Sequence, residues 1–312
     1  MGAVRRVGVI LMAVLICSFA WAGTLTVKAS DAMAPAGGAH VEVQPAGVTG
    51  TTNADGKWSG AVPAGDQRVI VWMNVGGVLR GGIENITMPA GDHDVAVVLV
   101  DAIWIKDYYP LAVGNKWQYE YRHTEADGTA WRKTWRDEVD RSVMMGGDRA
   151  VVLAASLDHV PEWEEIRACN TGGFTMYTQQ EGADTIKFDP PLHMGPLLPM
   201  GYEWVATGIA HHSGGAPDAT MVFRCKFERF QTVRVPARLF TDCARLQVQF
   251  EAGPETNDIT VWMAEGIGIV REIEKNEERR NEKLLEEYSL RGVPIRPLRP
   301  MRPIGPMTPK MP

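Results

Sequence analysis

The chain has 312 residues, of which 45% are hydrophobic and 22% charged, a globular balance that excludes a wholly disordered or fibrous protein. The formal net charge is −6, yet residues 1–22 and 291–312 together hold seven of the 32 bases and none of the 38 acids, which leaves −13 on the body between them. A body of that sign repels nucleic acid, and only the basic C-terminal end suits an anionic partner.

Arg5-Arg6 precede the apolar run Val7 to Ile16, and Ala20-Trp21-Ala22 closes it before Gly23. A basic stretch, an apolar stretch and a small-x-small site predict a secretory leader over 1–22, cleaved after Ala22. It contains the one apolar run that approaches the ~20 residues of a membrane span. The mature chain is therefore expected to be periplasmic or extracellular and not transmembrane. A lipoprotein would need a small residue before Cys17, and Ile16 stands there. Cleavage leaves Cys169, Cys225 and Cys243, an odd set in a compartment that permits disulfides. Three pairings are open, and three small buried thiols are an equal alternative.

Residues 23–102 are short extended runs divided by turns. Thr24 to Lys28 and His40 to Gln44 alternate, and Gln67 to Met73 and Asp94 to Val100 are apolar and β-branched. Pro63-Ala64-Gly65-Asp66 and Pro89-Ala90-Gly91-Asp92 each precede a strand, which predicts a small β-sandwich. Three phrases carry a resemblance: Ala36-Gly37-Gly38-Ala39-His40-Val41, Thr52-Asn53-Ala54-Asp55-Gly56-Lys57-Trp58 and Val62-Pro63-Ala64-Gly65. Together they resemble the carboxypeptidase regulatory-like (transthyretin-like) sandwich, an accessory module of extracytoplasmic proteins. Some modules of similar structure bind carbohydrate, and Trp58 or Trp72 is the candidate contact for it here.

After a linker at 103–107, residues 108–290 repeat a period of two. Trp117, Tyr119 and Tyr121 alternate with Gln118, Glu120 and Arg122, and Trp131 and Trp135 share one face of the next run. Phe223, Cys225 and Phe227, then Leu246, Val248 and Phe250, do the same. This predicts an all-β fold whose second domain is one large, curved antiparallel sheet, half-barrel-like, with aromatics on its concave side. The charged run Glu272 to Glu287 reads either as a hairpin tip or as a short helix. Tyr109-Pro110-Leu111 with Gly114-Asn115-Lys116-Trp117, then Val235-Pro236-Ala237 with Phe240 and Cys243, then Trp262-Met263-Ala264 with Gly266 to Val270, resemble a bacterial exported β-domain that has no assigned activity. Arg238 stands where that pattern has Gly.

Catalytic motifs are not found. No G-x-S-x-G elbow, phosphate loop, dinucleotide fingerprint or C-x-x-C pair occurs. His159-Val160-Pro161-Glu162 matches H-x-x-E without the α/β context of a zinc peptidase. His211-His212, Asp92-His93-Asp94 and Asp55-Gly56 read as loops or turns, and Glu164 and Glu165 face opposite ways on a strand. The expectation is no enzyme, no cofactor and no metal. Trp117, Tyr119, Tyr121, Trp131 and Trp135 are the candidate ligand-binding residues, lining a concave groove.

The tail 291–312 has proline at every third position from Pro294 to Pro312. A polyproline II helix has three residues per turn, so the prolines stack on one edge and Arg296, Arg299 and Arg302 start another. Those arginines are the candidate contacts for a cell-envelope polymer, lipid or protein partner. The functional expectation is an exported binding or scaffolding protein of the bacterial cell envelope. The alternatives are an apolar-ligand (lipid) carrier and a carbohydrate-binding module.

Overall fold

The structure is a computed structural model in which residues 22–252, 255–276 and 278–291 are described. The leader up to Trp21 and the proline-rich tail with Arg296, Arg299 and Arg302 lie outside the described residues.

The first strands are β1 (Ala22–Asp31), β2 (Ala34–Pro35), β3 (His40–Gln44), β4 (Val48–Thr51) and β5 (Lys57–Pro63). The longer β6 (Gly65–Val75), β7 (Val78–Met88) and β8 (His93–Trp104) follow, then one helical turn, α1 (Ile105–Tyr108). Next come β9 (Lys116–Glu125), β10 (Ala130–Met145), β11 (Asp148–Leu157), β12 (Val160–Asn170), β13 (Gly173–Glu181), β14 (Asp184–Met194) and the short β15 (Leu197–Pro199). The chain continues with β16 (Glu203–His212), β17 (Ala219–Arg234), β18 (Leu239–Ala252), β19 (Glu255–Ala264), β20 (Gly268–Lys275) and β21 (Arg279–Ser289). The all-β expectation holds. The residues form two compact units, 22–71 with 84–97 and 72–83 with 98–291.

In the first unit the alternation seen in the sequence becomes burial. Leu25, Val27 and Ala29 on β1 and Val41 and Val43 on β3 point into the core. β1 pairs antiparallel with β5, and β3 with β4. Trp58 on β5 packs onto Gly50 of β4, where a Cβ would overlap the indole. Glycine there leaves room for the indole against β4. The Asn53–Gly56 turn is held by the Asn53 side chain, which accepts the N–H groups of Asp55 and Lys57 at 3.0 and 2.9 Å. Buried Thr52 donates its hydroxyl to the Ala36 carbonyl and accepts the Ala39 N–H. Two of the three phrases that carry the first resemblance are thus tied together.

In the second unit, twelve antiparallel strands run β9 to β14 and β16 to β21 in neighbour order, and β21 returns to pair with β9. The curvature expected of this sheet goes on to full closure, which leaves the cylinder no free edges. Register shifts in seven of its strand pairs, such as Val139/Arg141 on β10, mark the bulges that bend the strands. The segment after α1 is fastened to the barrel through Asn115. This fully buried side chain donates to the Pro110 carbonyl at 2.8 Å and accepts the Arg291 N–H at 2.7 Å.

The charged run resolves as a hairpin. Asn276 accepts the N–H groups of Glu278 and Arg279 through its side chain, and Glu272 pairs across the ladder with Lys283. Cross-strand partners, which a helix would forgo, absorb these charges. No described helix is long and apolar enough to cross a membrane.

Candidate functional site

Residues directly opposite in an antiparallel ladder share a face, so the register alone lays out the barrel's inner side as rows. One row is Trp135 on β10, Tyr119 on β9 and Leu285 on β21. The next is Lys133, Tyr121, Lys283 and, on β20, Glu272. The third, nearest the β9–β10 turn, is Trp131, His123, Asn281 and Glu274. Across these four strands the shared face passes from apolar to charged to polar, with Lys133 exposed.

All five aromatic candidates fall on this face. Trp117, Tyr119, Tyr121 and Trp135 are buried, none more than 9% exposed, and Trp131 is half-buried against them. Tyr121 stands 5.5 Å from Trp131 and 5.4 Å from Trp135, centroid to centroid. Polar edges find partners too: Trp117 Nε1 donates to the Ile267 carbonyl at 2.6 Å and the Tyr119 hydroxyl to that of Ile269 at 3.2 Å. The rings pack on one another as core.

Among these rings sit charged groups that sequence reasoning missed. Asp137 accepts the indole N–H of Trp135 at 2.6 Å. Burial pushes its carboxyl above the ordinary range, against the opposing pull of Lys283. Lys283 places its ammonium 4.2 Å from the Trp135 ring centre and 3.1 Å from Oε1 of Glu272. Burial disfavours that ammonium, but Glu272, Asp137 and Tyr121 outweigh it and hold the Lys283 pKa above its usual value. On β12, Arg167 pairs with Glu165 and donates to the Tyr109 hydroxyl. Its guanidinium also lies 5.8 Å from the Phe174 ring and 6.0 Å from Trp163. Each cation is matched by a carboxylate and an aromatic face, the pairing that makes a buried charge tolerable.

Asp137 was findable, because it sits two residues from Trp135 and therefore on its side of the strand. Lys283 was not, since its contact with Tyr121 depends on a register joining β9 to β21.

The remaining candidates separate. His211 and His212 diverge to different carboxylates, Asp218 at 2.8 Å and Asp184 at 2.9 Å. The hydrogen bonds from His212 and the Gly214 N–H hold Asp184 below the usual carboxylate range. His159 accepts a bond from Arg136. Among the described residues no three His, Cys, Asp or Glu side chains gather as a metal site. Cys169, Cys225 and Cys243 are free thiols, each pushed up to about 12 by burial. Trp58 and Trp72 are both half-buried, and Trp72 stands edge-on to Trp104 at 5.5 Å. The first unit has an open cleft of about 530 Å³. Its polar walls bond to each other, Arg68 to Asn85 and Thr87 to Asp66.

No protein-family model and no curated relative matches the chain. Three solved structures resemble it. A candidate exported protein with YmcC-like fold from Bacteroides fragilis is 18% identical over 59% of this chain and 99% of its own, with a TM-score of 0.41. A candidate lipoprotein from Parabacteroides distasonis is 12% identical over 58% and 98%, with a TM-score of 0.36. The hypothetical lipoprotein YmcC from Escherichia coli is 9% identical over 56% and 84%, with a TM-score of 0.31. These scores lie below the level that marks a shared fold, so the functional reading rests on the chain's own residues.

Proposed function

We propose that this chain is an exported protein of the bacterial cell envelope that works by binding or scaffolding rather than by catalysis. Residues 23–102 would be its accessory sandwich, 108–290 its barrel and the basic tail its contact for a partner. The observation that carries the reading is the packed inner face of the barrel. Trp117, Tyr119, Tyr121 and Trp135 fill it, and Lys283, Glu272 and Asp137 spend their charge on one another and on those rings. Groups so engaged are poor nucleophiles and bases, and their mutual pairing makes a rigid body from which surfaces can act. The thiols point the same way, because burial keeps them from the reactive thiolate form. Export is supported by the Arg5-Arg6, apolar and Ala20-Trp21-Ala22 succession.

Cell fractionation with intact-mass analysis of the recovered chain tests this reading. The expected product is a polypeptide beginning at Gly23 in the exported fraction, chemically cross-linked to an envelope component. A chain keeping residues 1–22 in the cytoplasm would overturn it.

A further inference from the structure

The polar row of the barrel poses a donor–acceptor problem. His123 is buried, with its ring stacked 4.6 Å from Trp131 at an interplanar angle of 16°. Its Nδ1 lies 2.7 Å from Oδ1 of Asn281, and its Nε2 lies 2.7 Å from Oε1 of Glu125. The amide of Asn281 is oriented by its far side, where Nδ2 donates to Oε2 of Glu274 at 2.9 Å. Turning that amide over would set its carbonyl oxygen against a carboxylate. Asn281 therefore offers His123 an acceptor, and Glu125 offers a second one. A neutral imidazole has one N–H and answers one of them, whereas the imidazolium answers both. The Glu125 side chain is 47% exposed.

We propose that Glu125–His123–Asn281–Glu274 is a proton-operated latch, closed while both ring nitrogens of His123 carry hydrogen and released when one is lost. The latch spans β9, β21 and β20, the strands that complete the barrel. Charged and titratable groups face it from every neighbouring strand. Glu125 and Tyr121 lie on β9, Lys133 on β10, Arg279 and Lys283 on β21, and Glu274 on β20. Loss of the proton sets a ring lone pair against an oxygen. Relief requires Glu125 to swing into solvent or Asn281 to turn and give up Glu274. Either movement loosens the corner where the Ala126 N–H donates to the Glu278 carbonyl at 2.8 Å. The corner is tight at low pH and loosens as pH rises. The inference does not depend on the binding reading above.

The test is hydrogen exchange of the Ala126 amide in the full chain at pH 5.5 and pH 8.5, corrected for intrinsic rates, with ¹⁵N NMR of the His123 ring. About fivefold less protection is expected at pH 8.5, the loss of one ordinary hydrogen bond, with two ring N–H groups present at pH 5.5. His123→Phe keeps a stacked ring without a titrating group and should abolish the difference. Should that variant fail to fold, Glu125→Gln serves, because its amide can donate to a neutral ring and should restore protection at pH 8.5. Equal protection of the native chain at both pH values, or a single ring N–H at pH 5.5, would overturn the latch.

Discussion

The ammonium of Lys283 sits 4.2 Å from the centre of the Trp135 ring and 3.1 Å from Oε1 of Glu272, three strands of one barrel meeting at a single charge. The Lys283 and Glu272 side chains are only 14% and 19% exposed. Removing one member leaves the other charged and poorly solvated. Lys283→Met should cost about 3 kcal/mol, the lower end for breaking a buried pair, while Lys283→Met with Glu272→Gln should recover part of the loss. Urea unfolding of the two variants checks both figures.

Asp137 behaves in the opposite sense. Burial raises its carboxyl above the ordinary 3.8, so the unfolded chain ionises at that position first. Below the ordinary value the group costs nothing, and from there upward the native state loses stability until its own raised value is passed. Asp137→Asn keeps an acceptor for the Trp135 indole and removes the titration. The variant should match the native chain near pH 3 and lose less stability between pH 3 and pH 7. Chemical unfolding at the two pH values measures the difference.

The thiols should be silent in the folded chain. With each pushed up to about 12, roughly 10⁻⁴ of each is thiolate at pH 8, against about a quarter for an ordinary cysteine. Iodoacetamide at pH 8 should label Cys169, Cys225 and Cys243 only after denaturation, and intact mass should show all three as free thiols.

Gly50 is required by its neighbour. A Cβ there overlaps the Trp58 indole, so Gly50→Ala should cost about 1–3 kcal/mol as the ring is forced off β4. Thr49→Ala, one residue away and outward-facing, should change little. Thermal melts of the two variants make the comparison.

Much of this architecture was legible because alternation is a local signal. Trp117, Tyr119 and Tyr121 announced a half-buried strand on their own, and Asn53 to Gly56 announced a turn. Closure of the barrel was not legible, because it depends on β21 finding β9 across more than 150 residues. Trp117, Tyr119 and Tyr121 are alternating buried positions of β9. Whether rings line a groove or fill a core is decided by what arrives from other strands, and Lys283, Leu285 and Trp163 arrive from far along the chain. The charged run 272–287 shows the same limit, since its helix propensity is local and the ladder that overrides it is not.

Trp117, Tyr119, Tyr121 and Trp135 pack the aromatic face of the barrel into core. Native mass spectrometry of the protein, purified without denaturant and followed by solvent extraction, tests whether that core admits a ligand. A single polypeptide mass and an extract free of stoichiometric lipid are expected. An acyl lipid recovered at about one per chain would contradict it, because that ligand would have to occupy the space held by Trp117, Tyr119, Tyr121 and Trp135.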